Sequence, residues 1–474
     1  MPNNTIEEEE DKAIVIGGGI AGLLTARILS GHFSKVIVLE KDKYPKEKGP
    51  RNGTPQANHI HVFLVKGMQT IINLFPGIEK KLLSQGGHKI DVISKAKFKF
   101  PTGWARNFNS DMNTIVCSRQ LLEFTIRQEI LEKYLNIKII ENTRVIGLAT
   151  TTYSEQKIIT GVNVIYGNGN NNDDYIDKTT TINANLVVDA SGRRSDTPIW
   201  FEKIGLERPN ETKINSFIGY AGRRVQLLST QSSPLLSNYK VVVVFTNPPN
   251  NPRMAVMTAI EDNQWQLGLL GIGKTYPPTD EKGFLDFAKE LGVEDVYKTV
   301  RDAKPISNIY GYREDGSRLY HYEKLKKWPK NFIVLGDAVS AFNPIYAQGV
   351  TVAAIQSKIL DNLLYKYKKN HTAALKKGFE IKFQRKIAKL NSLPWLLGTS
   401  EDLRWPTTEA NKKMNPFSKI IQRYSKHVIL LTPNSRLATK SFLEMLNMVK
   451  SPAVLFHPLL IAQVLAQLLL GQGN

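Results

Sequence analysis

The sequence predicts an α/β fold, α+β overall: a Rossmann-like domain, an inserted β-sheet domain and a helical C-terminal region. Three observations carry this expectation. An apolar run, a glycine triplet and a helical pattern stand together at 12–30. Two further buried-strand patterns, "LVVD" and "FIVL", lie far down the chain, so the domain they complete is discontinuous. The segments between them alternate like strands of a second sheet, and the last hundred residues read as helices. A chain of 474 residues is also too long for one simple core.

The first strand is "AIVI", a continuous apolar run suited to burial on both faces. Gly17, Gly19 and Gly22 then form G-x-G-x-x-G, and "IAGLLTARIL" continues with helical spacing. Gly17 permits the tight turn, Gly19 lets a pyrophosphate approach the backbone, and Gly22 lets the helix pack on the strand. Ile20 and Ala21 open the helix, whose free N–H groups face the phosphate. The second strand, "KVIVLE", ends in Glu40, with Lys41 after it. Glu40 lies 18 residues past Gly22, where a ribose-binding carboxylate belongs. This is a dinucleotide site, and these residues do not separate FAD from NAD.

The second half of the chain supplies the distinction. "LVVDASGRRSDTP" is a strand ending in Asp189, followed by a small-residue turn with Arg193 and Arg194. "NFIVLGDAVSAFNPIYAQGVTVAAIQSKIL" is a strand ending in Gly336 and Asp337, a loop with Pro344 and Gln348, and a helix opening at Gly349 and Val350. That order suits a flavin. The aspartate accepts from a ribityl hydroxyl, and the helix N-terminus stabilises negative charge on the reduced ring.

"RNGTPQANHIH", 51–61, holds an arginine and two histidines two residues apart. A metal reading for His59 and His61 needs a third ligand, and no recognisable spacing offers one. The single cysteine, Cys117, excludes a cysteine zinc site and an internal disulfide. Arg51 is read as the functional residue, packed against an anionic cofactor. His59 is left between a hydrogen bond to substrate or flavin and a purely local role.

Taken together, these motifs resemble the FAD-dependent monooxygenases of the p-hydroxybenzoate hydroxylase fold, over roughly the first 370 residues. "RNGTPQANHIHVFL" and "CSRQLLEFTIR" are most similar to the subgroup of bacterial polyether epoxidases, cousins of squalene epoxidase. The resemblance implies a FAD-binding domain of the glutathione-reductase type. It places Arg51 against the FAD, Arg119 near its phosphate or ribityl chain, and Val145 at the adenine. Asp189 matches the acid of the second motif, Asp337 the ribityl contact, and Pro344 to Gly349 the turn beside the isoalloxazine. Two motifs depart from the family pattern. "DASG" replaces the usual Asp-Gly, and Ala347 in "YAQG" stands where glycine is frequent.

The resemblance further implies that NAD(P)H, bound transiently, reduces the FAD. O2 then gives a flavin C4a-hydroperoxide whose distal oxygen passes to a small-molecule substrate. No base is assignable, which tilts the reading toward alkene epoxidation and away from hydroxylation of a phenol. The candidate catalytic residues are Arg51, His59 and Tyr346. The candidate pocket residues are Phe342 with Pro344 and Tyr346 beside the flavin, and Tyr220, Arg223 and Trp265 from the sheet. Three rivals remain: a halogenase, disfavoured because "NQWQLGL" lacks W-x-W, a prenyl reductase, and a flavin-binding module without turnover.

The expected layout is a FAD-binding domain from 1–65, 112–200 and 329–375, a substrate sheet from 66–111 and 201–328, and a helical region at 376–474. "YGNGNNNDDY" reads as a polar hairpin tip. The net charge of +20 comes from scattered lysines with no nucleic-acid motif, so no nucleic-acid partner is expected. "MPNNTIEEEEDK" does not read as a secretory signal, and a reducing cytoplasm fits one cysteine. The apolar "SPAVLFHPLLIAQVLAQLLLGQGN" is short for a span and is interrupted by His457, Pro458, Gln463 and Gln467. It reads as a packed or channel helix, with a peripheral membrane contact left open.

Overall fold

The structure is a computed structural model that describes residues 11–51, 53–167, 178–227, 233–367, 375, 378–411 and 416–470. Its first sheet has five parallel strands in the order Phe332–Val334, Leu186–Asp189, Lys12–Ile16, Lys35–Leu39 and Ile137–Ile140. The Val/Ile-rich strands are buried on both faces, as a parallel sheet covered by helices requires. Register explains why distant motifs meet. Ile16 pairs with both Asp189 and Leu39, and Asp189 pairs with Val334. Gly17, Glu40, Ala190 and Leu335 therefore leave the same sheet edge in a row, the edge at which ligands bind in open parallel sheets.

Helices Ile20–Leu29 and Gly349–Tyr367 pack together on this sheet, with Thr25 Oγ1 and Ser357 Oγ 3.4 Å apart. Residues 65–84 differ from the expectation of a substrate sheet. They form helices Val65–Leu74 and Ile78–Ser84, whose Met68, Ile71, Ile78 and Leu82 belong to the core of the parallel sheet. Their three-to-four-residue apolar spacing is the physical reason. Gly67 lies so close to the helix Gly349–Tyr367 that a Cβ there would stand 2.3 Å from Thr351 Oγ1.

The second large sheet is built mainly from Gly219–Gln226, Gln264–Gly271, Arg253–Ala259, Val241–Val244 and Ala96–Phe100. Strand alternation sends its side chains to two different cores. Ala221, Val225, Trp265 and Leu267 pack under helices Glu281–Lys289 and Glu294–Asp302. Tyr220, Met254, Val256 and Leu270 face the other way, toward C-terminal residues such as Val428, Phe442 and Leu460.

A third, antiparallel sheet comprises Thr143–Tyr153, Gln156–Tyr166 and Thr180–Asn183. Of the polar hairpin segment 166–175, residues 168–175 lie outside the described residues. The C-terminal helices are Phe379–Asp402, Pro416–Leu431, Arg436–Leu446 and Pro458–Leu469. The first of them joins the two halves: Phe379, Phe383 and Ile387 enter the first core, while Leu397 packs on the second. No helix among the described residues is long and apolar enough to cross a membrane.

Candidate functional site

The phosphate loop is shaped by what its glycines exclude. Gly17 has φ +95°, and a Cβ there would meet Ala190 O at 2.8 Å. A Cβ on Gly22 would stand 1.8 Å from Gly17 O, so the helix could not seat. Gly19 is different: the nearest atom to its missing Cβ is Arg51 Nη2, 4.0 Å away. Two glycines serve the chain and the third leaves room for a ligand. The sequence reading passed over Gly18. Its N–H donates to Glu40 Oε2 at 2.7 Å and its carbonyl accepts from the Tyr44 hydroxyl at 2.5 Å.

Arg51 is clamped beside this loop. Its Nε donates to Glu123 Oε1 at 2.8 Å and its Nη1 to Asp42 Oδ2 at 2.9 Å, while Glu40 Oε2 lies 3.2 Å from Nη1. Burial opposes its charge, but Glu40 and then Glu123 hold the guanidinium well above its ordinary range. A fixed cation thus stands over the open face of Gly19. Arg119 opens helix Arg119–Lys133 with Nη2 3.5 Å from Glu123 Oε2, and its Nε is buried without a partner. Val145 is buried two residues after Thr143, whose N–H donates to the Glu40 carbonyl. Lys41 is exposed beside them.

Asp189 requires a correction. It is fully buried, and its oxygens accept from Ser191 N and Oγ, Ser195 Oγ and Thr197 Oγ1 at 2.5–2.8 Å. Four bonds saturate the carboxylate. It holds the "DASGRRSDT" turn and presents no acceptor to a cofactor.

The loop from Gly336 to Gly349 leaves the same sheet edge beside the phosphate loop. Gly336, at φ +65°, lies against helix Ile20–Leu29, with its missing Cβ 3.2 Å from Ala21 Cβ, and its N–H donates to Gln356 Oε1 at 2.7 Å. The Asp337 carboxylate faces the start of the next helix: its Oδ1 would be 3.7 Å from a Cβ on Gly349. Burial raises the Asp337 carboxyl, against Arg193, Arg119 and Arg318. Gln348 caps helix Gly349–Tyr367 through its carbonyl, which accepts from Val352 N, and its buried Oε1 has no partner. Gly349 and Val350 follow as the first helical residues. Ala347 adopts φ +54°, ψ +25°, the left-handed conformation that glycine adopts without strain.

Pro344 begins the turn Pro344–Tyr346, which is held from behind. Asn343 Oδ1 accepts from Ile345 N at 2.9 Å, and Asn343 Nδ2 donates to Asp402 Oδ1 at 2.6 Å. Burial pushes the Asp402 carboxyl up to about 7. Nothing in the local sequence marks Asp402, because it sits in a polar helix end, "TSED". Tyr346 is held from the C-terminal side. Its ring packs against Gly398 of the same C-terminal helix, 3.3 Å from where a Cβ would be.

The segment 51–61 lies across the second sheet. Gln266 Nε2 donates to Asn58 O at 2.8 Å, and a Cβ on Gly268 would stand 2.7 Å from Ile60 Cγ2. His59 meets Tyr220 edge-on, ring centroids 4.7 Å apart, with Tyr312 5.9 Å from His59 and 5.4 Å from Tyr220. Burial pushes His59 down to about 4, and its Nδ1 is buried without a partner. His61 turns away. Its Nδ1 bonds the His59 carbonyl at 3.0 Å, and burial, then Arg119, push it down to about 3. Both histidines are therefore neutral near pH 7. No cluster of three or more His, Cys, Asp or Glu among the described residues could hold a metal.

Glu314 closes this corner. Burial raises its carboxyl, and Arg193 Nη2 stands 3.1 Å from Oε2, with Tyr220 beside them. Arg193 also donates to the carbonyls of Gly316 and of Phe342, tying the pocket candidate Phe342 to the corner. Two pocket candidates are corrected. Arg223 makes a bidentate pair with Glu281 at 2.5 and 2.9 Å, and Trp265 lies in the core beneath the same helix. Period-2 alternation puts Tyr220 and Arg223 on opposite faces of one strand, so both could not line one pocket.

These residues fit a flavin dinucleotide. The open face of Gly19 under Arg51, the unpartnered Arg119 Nε and Gln348 Oε1, and Asp337 before a helix N-terminus form a cradle with unused polar atoms. No family model matches the chain. Protein Rv3254 of Mycobacterium tuberculosis (strain ATCC 25618 / H37Rv) is 28% identical over 398 residues, 83% of this chain and 80% of that protein. The structure of the flavin-dependent brominase Bmp2 matches with a TM-score of 0.63 at 13% identity, over 92% of this chain and 93% of that one. The p-nitrophenol 4-monooxygenase PnpA from Pseudomonas putida DLL-E4 gives 0.63 at 15%, over 92% and 99%. PqsL, a probable FAD-dependent monooxygenase from Pseudomonas aeruginosa, gives 0.58 at 16%, over 83% and 96%. The chain shares their fold. At these identities the likeness speaks to architecture, and it agrees with the mixed α/β class expected from the motifs.

Proposed function

We propose that this protein is an FAD-dependent monooxygenase that takes electrons from NAD(P)H and inserts one oxygen of O2 into an apolar small molecule. One observation carries the reading. The Gly336–Asp337 turn packs on Ala21 of the phosphate-loop helix, which brings the two motifs proposed to hold a flavin dinucleotide side by side. Arg51, Gly19, Glu40 and Arg119 would hold the nucleotide end, and Asp337, Gln348, Gly349 and Val350 the ring end. When bound and reduced, the flavin supplies activated oxygen to the substrate. The chain's own part is to orient the substrate, exclude water and control protons. The aromatic wall of His59, Tyr220 and Tyr312 is suited to an apolar substrate.

Similarity of "RNGTPQANHIHVFL" to epoxidases supports alkene epoxidation. A second reading, hydroxylation of a phenol, is favoured by a particular pair. Glu314, whose carboxyl burial raises and which lies beside Tyr220, can take a proton, the role for which the sequence offered no residue. Turnover with NADH or NADPH under 18O2, with polyenes and phenols and with or without bromide, tests the proposal. One labelled oxygen in the product supports it. A brominated product, or an alkene saturated without oxygen, contradicts it.

A further inference from the structure

We propose that the C-terminal helix Pro458–Leu469 and its basic neighbours form a docking face for an anionic lipid surface. The inference is independent of the chemistry proposed above. Leu460, Val464 and Gln467, spaced by four and three residues, are the buried side of the helix. The opposite side is leucine: Leu465 is 54% and Leu469 88% exposed, with Leu459, Leu468 and Leu470 also exposed. From Ser451 to Asn474 the sequence has no Asp, Glu, Lys or Arg. The glutamines that interrupt the apolar run do not dilute this face. Gln463 accepts from Ser435 Oγ at 2.8 Å, and Gln467 is buried.

The apolar face continues onto helix Pro416–Leu431. Tyr424 stacks on the half-exposed Phe456, 4.8 Å between centroids, and its hydroxyl donates to Leu455 O. One turn earlier Ile420 is 66% exposed. Lys419, Arg423 and Lys426, all exposed and at helical spacing, rim this patch. Residues 416–470 contain six basic side chains and one acid, Glu444, which is buried and 3.0 Å from Lys450 Nζ.

This charge selects the occupant. A second copy would bring two cationic rims together, whereas anionic headgroups neutralise them. A helix of 12 residues is about 18 Å long, too short to span and suited to lying in the headgroup layer.

The test is flotation of the full chain with vesicles of phosphatidylcholine alone or mixed with phosphatidylglycerol, alongside its mass in solution. The expected result is binding to the phosphatidylglycerol vesicles that weakens with salt. The variant Leu465→Glu with Leu469→Glu, and the variant Lys419→Glu with Arg423→Glu and Lys426→Glu, should each partition at least roughly tenfold more weakly. Both change exposed side chains, so an unaltered melting temperature separates lost docking from lost folding. Wild-type protein that fails to float, equal binding to both vesicle types, or a leucine variant that floats like wild type overturns the proposal. So does a dimer that the leucine variant dissolves without vesicle binding.

Discussion

Arg51 is held by three carboxylates, so its removal reaches beyond the cofactor. Arg51→Ala would leave Glu40, Asp42 and Glu123 buried together without their cation. The expected cost is about 3–5 kcal/mol of stability, measured by denaturant unfolding of the cofactor-free protein, together with weaker FAD binding. Asp337→Ala should lose FAD while leaving the cofactor-free fold intact, because the loop is held by Gly336 N and Asn343 instead. Ala347→Gly should stabilise the protein by about 0.5–1 kcal/mol, since the residue is already left-handed. Asp402 gives a pH signature. Its folded pKa of about 7 exceeds the ordinary 3.8, so the folded state holds the proton more tightly. Its contribution is most favourable below about pH 4 and is lost as pH rises through about 7. Asp402→Asn should remove that decline, which amounts to a few kcal/mol, in unfolding measured across the range.

The strand Gln264–Gly271 and the segment 51–61 meet as a pair of surfaces, and Gly268 leaves no room for a side chain against Ile60. Gly268→Val should push Ile60 and His59 off the sheet at a cost of about 1–3 kcal/mol, with quenching of tyrosine environments at Tyr220 and Tyr312 altered in fluorescence. Elements of this kind were unevenly legible. Parallel strands announced themselves because burial on both faces demands continuous apolar runs, as in "AIVI" and "LVVD". The phosphate loop was legible because its glycines answer a local backbone requirement. Helices Val65–Leu74 and Ile78–Ser84 had a readable period that was assigned to a sheet. Arg223 was misplaced although alternation alone sets it opposite Tyr220.

At the scale of the molecule, register along one sheet edge gathers motifs more than 300 residues apart. That gathering was inferable, since each motif carries its strand. The corner made by His59, Tyr220, Tyr312, Glu314 and Arg193 was not. It needs four separated segments, at 59, 193, 220 and 312–314, brought within a few ångströms, and no local pattern marks Glu314. Asp189 shows the converse: its motif is local, but its partners Ser191, Ser195 and Thr197 consume the carboxylate. Lys419, Arg423 and Lys426, unremarkable in the sequence, stand together on one exposed helix beside the apolar C-terminal patch once folded.

The central claim is a flavin cradle that works with NAD(P)H and O2. The most direct measurement is the visible spectrum of the purified protein after incubation with FAD and gel filtration, then after NADH or NADPH without oxygen, then after air. One tightly bound flavin per chain is expected, bleached by a nicotinamide and restored by air, and absent from Asp337→Ala. A folded wild-type protein that retains no FAD would contradict it.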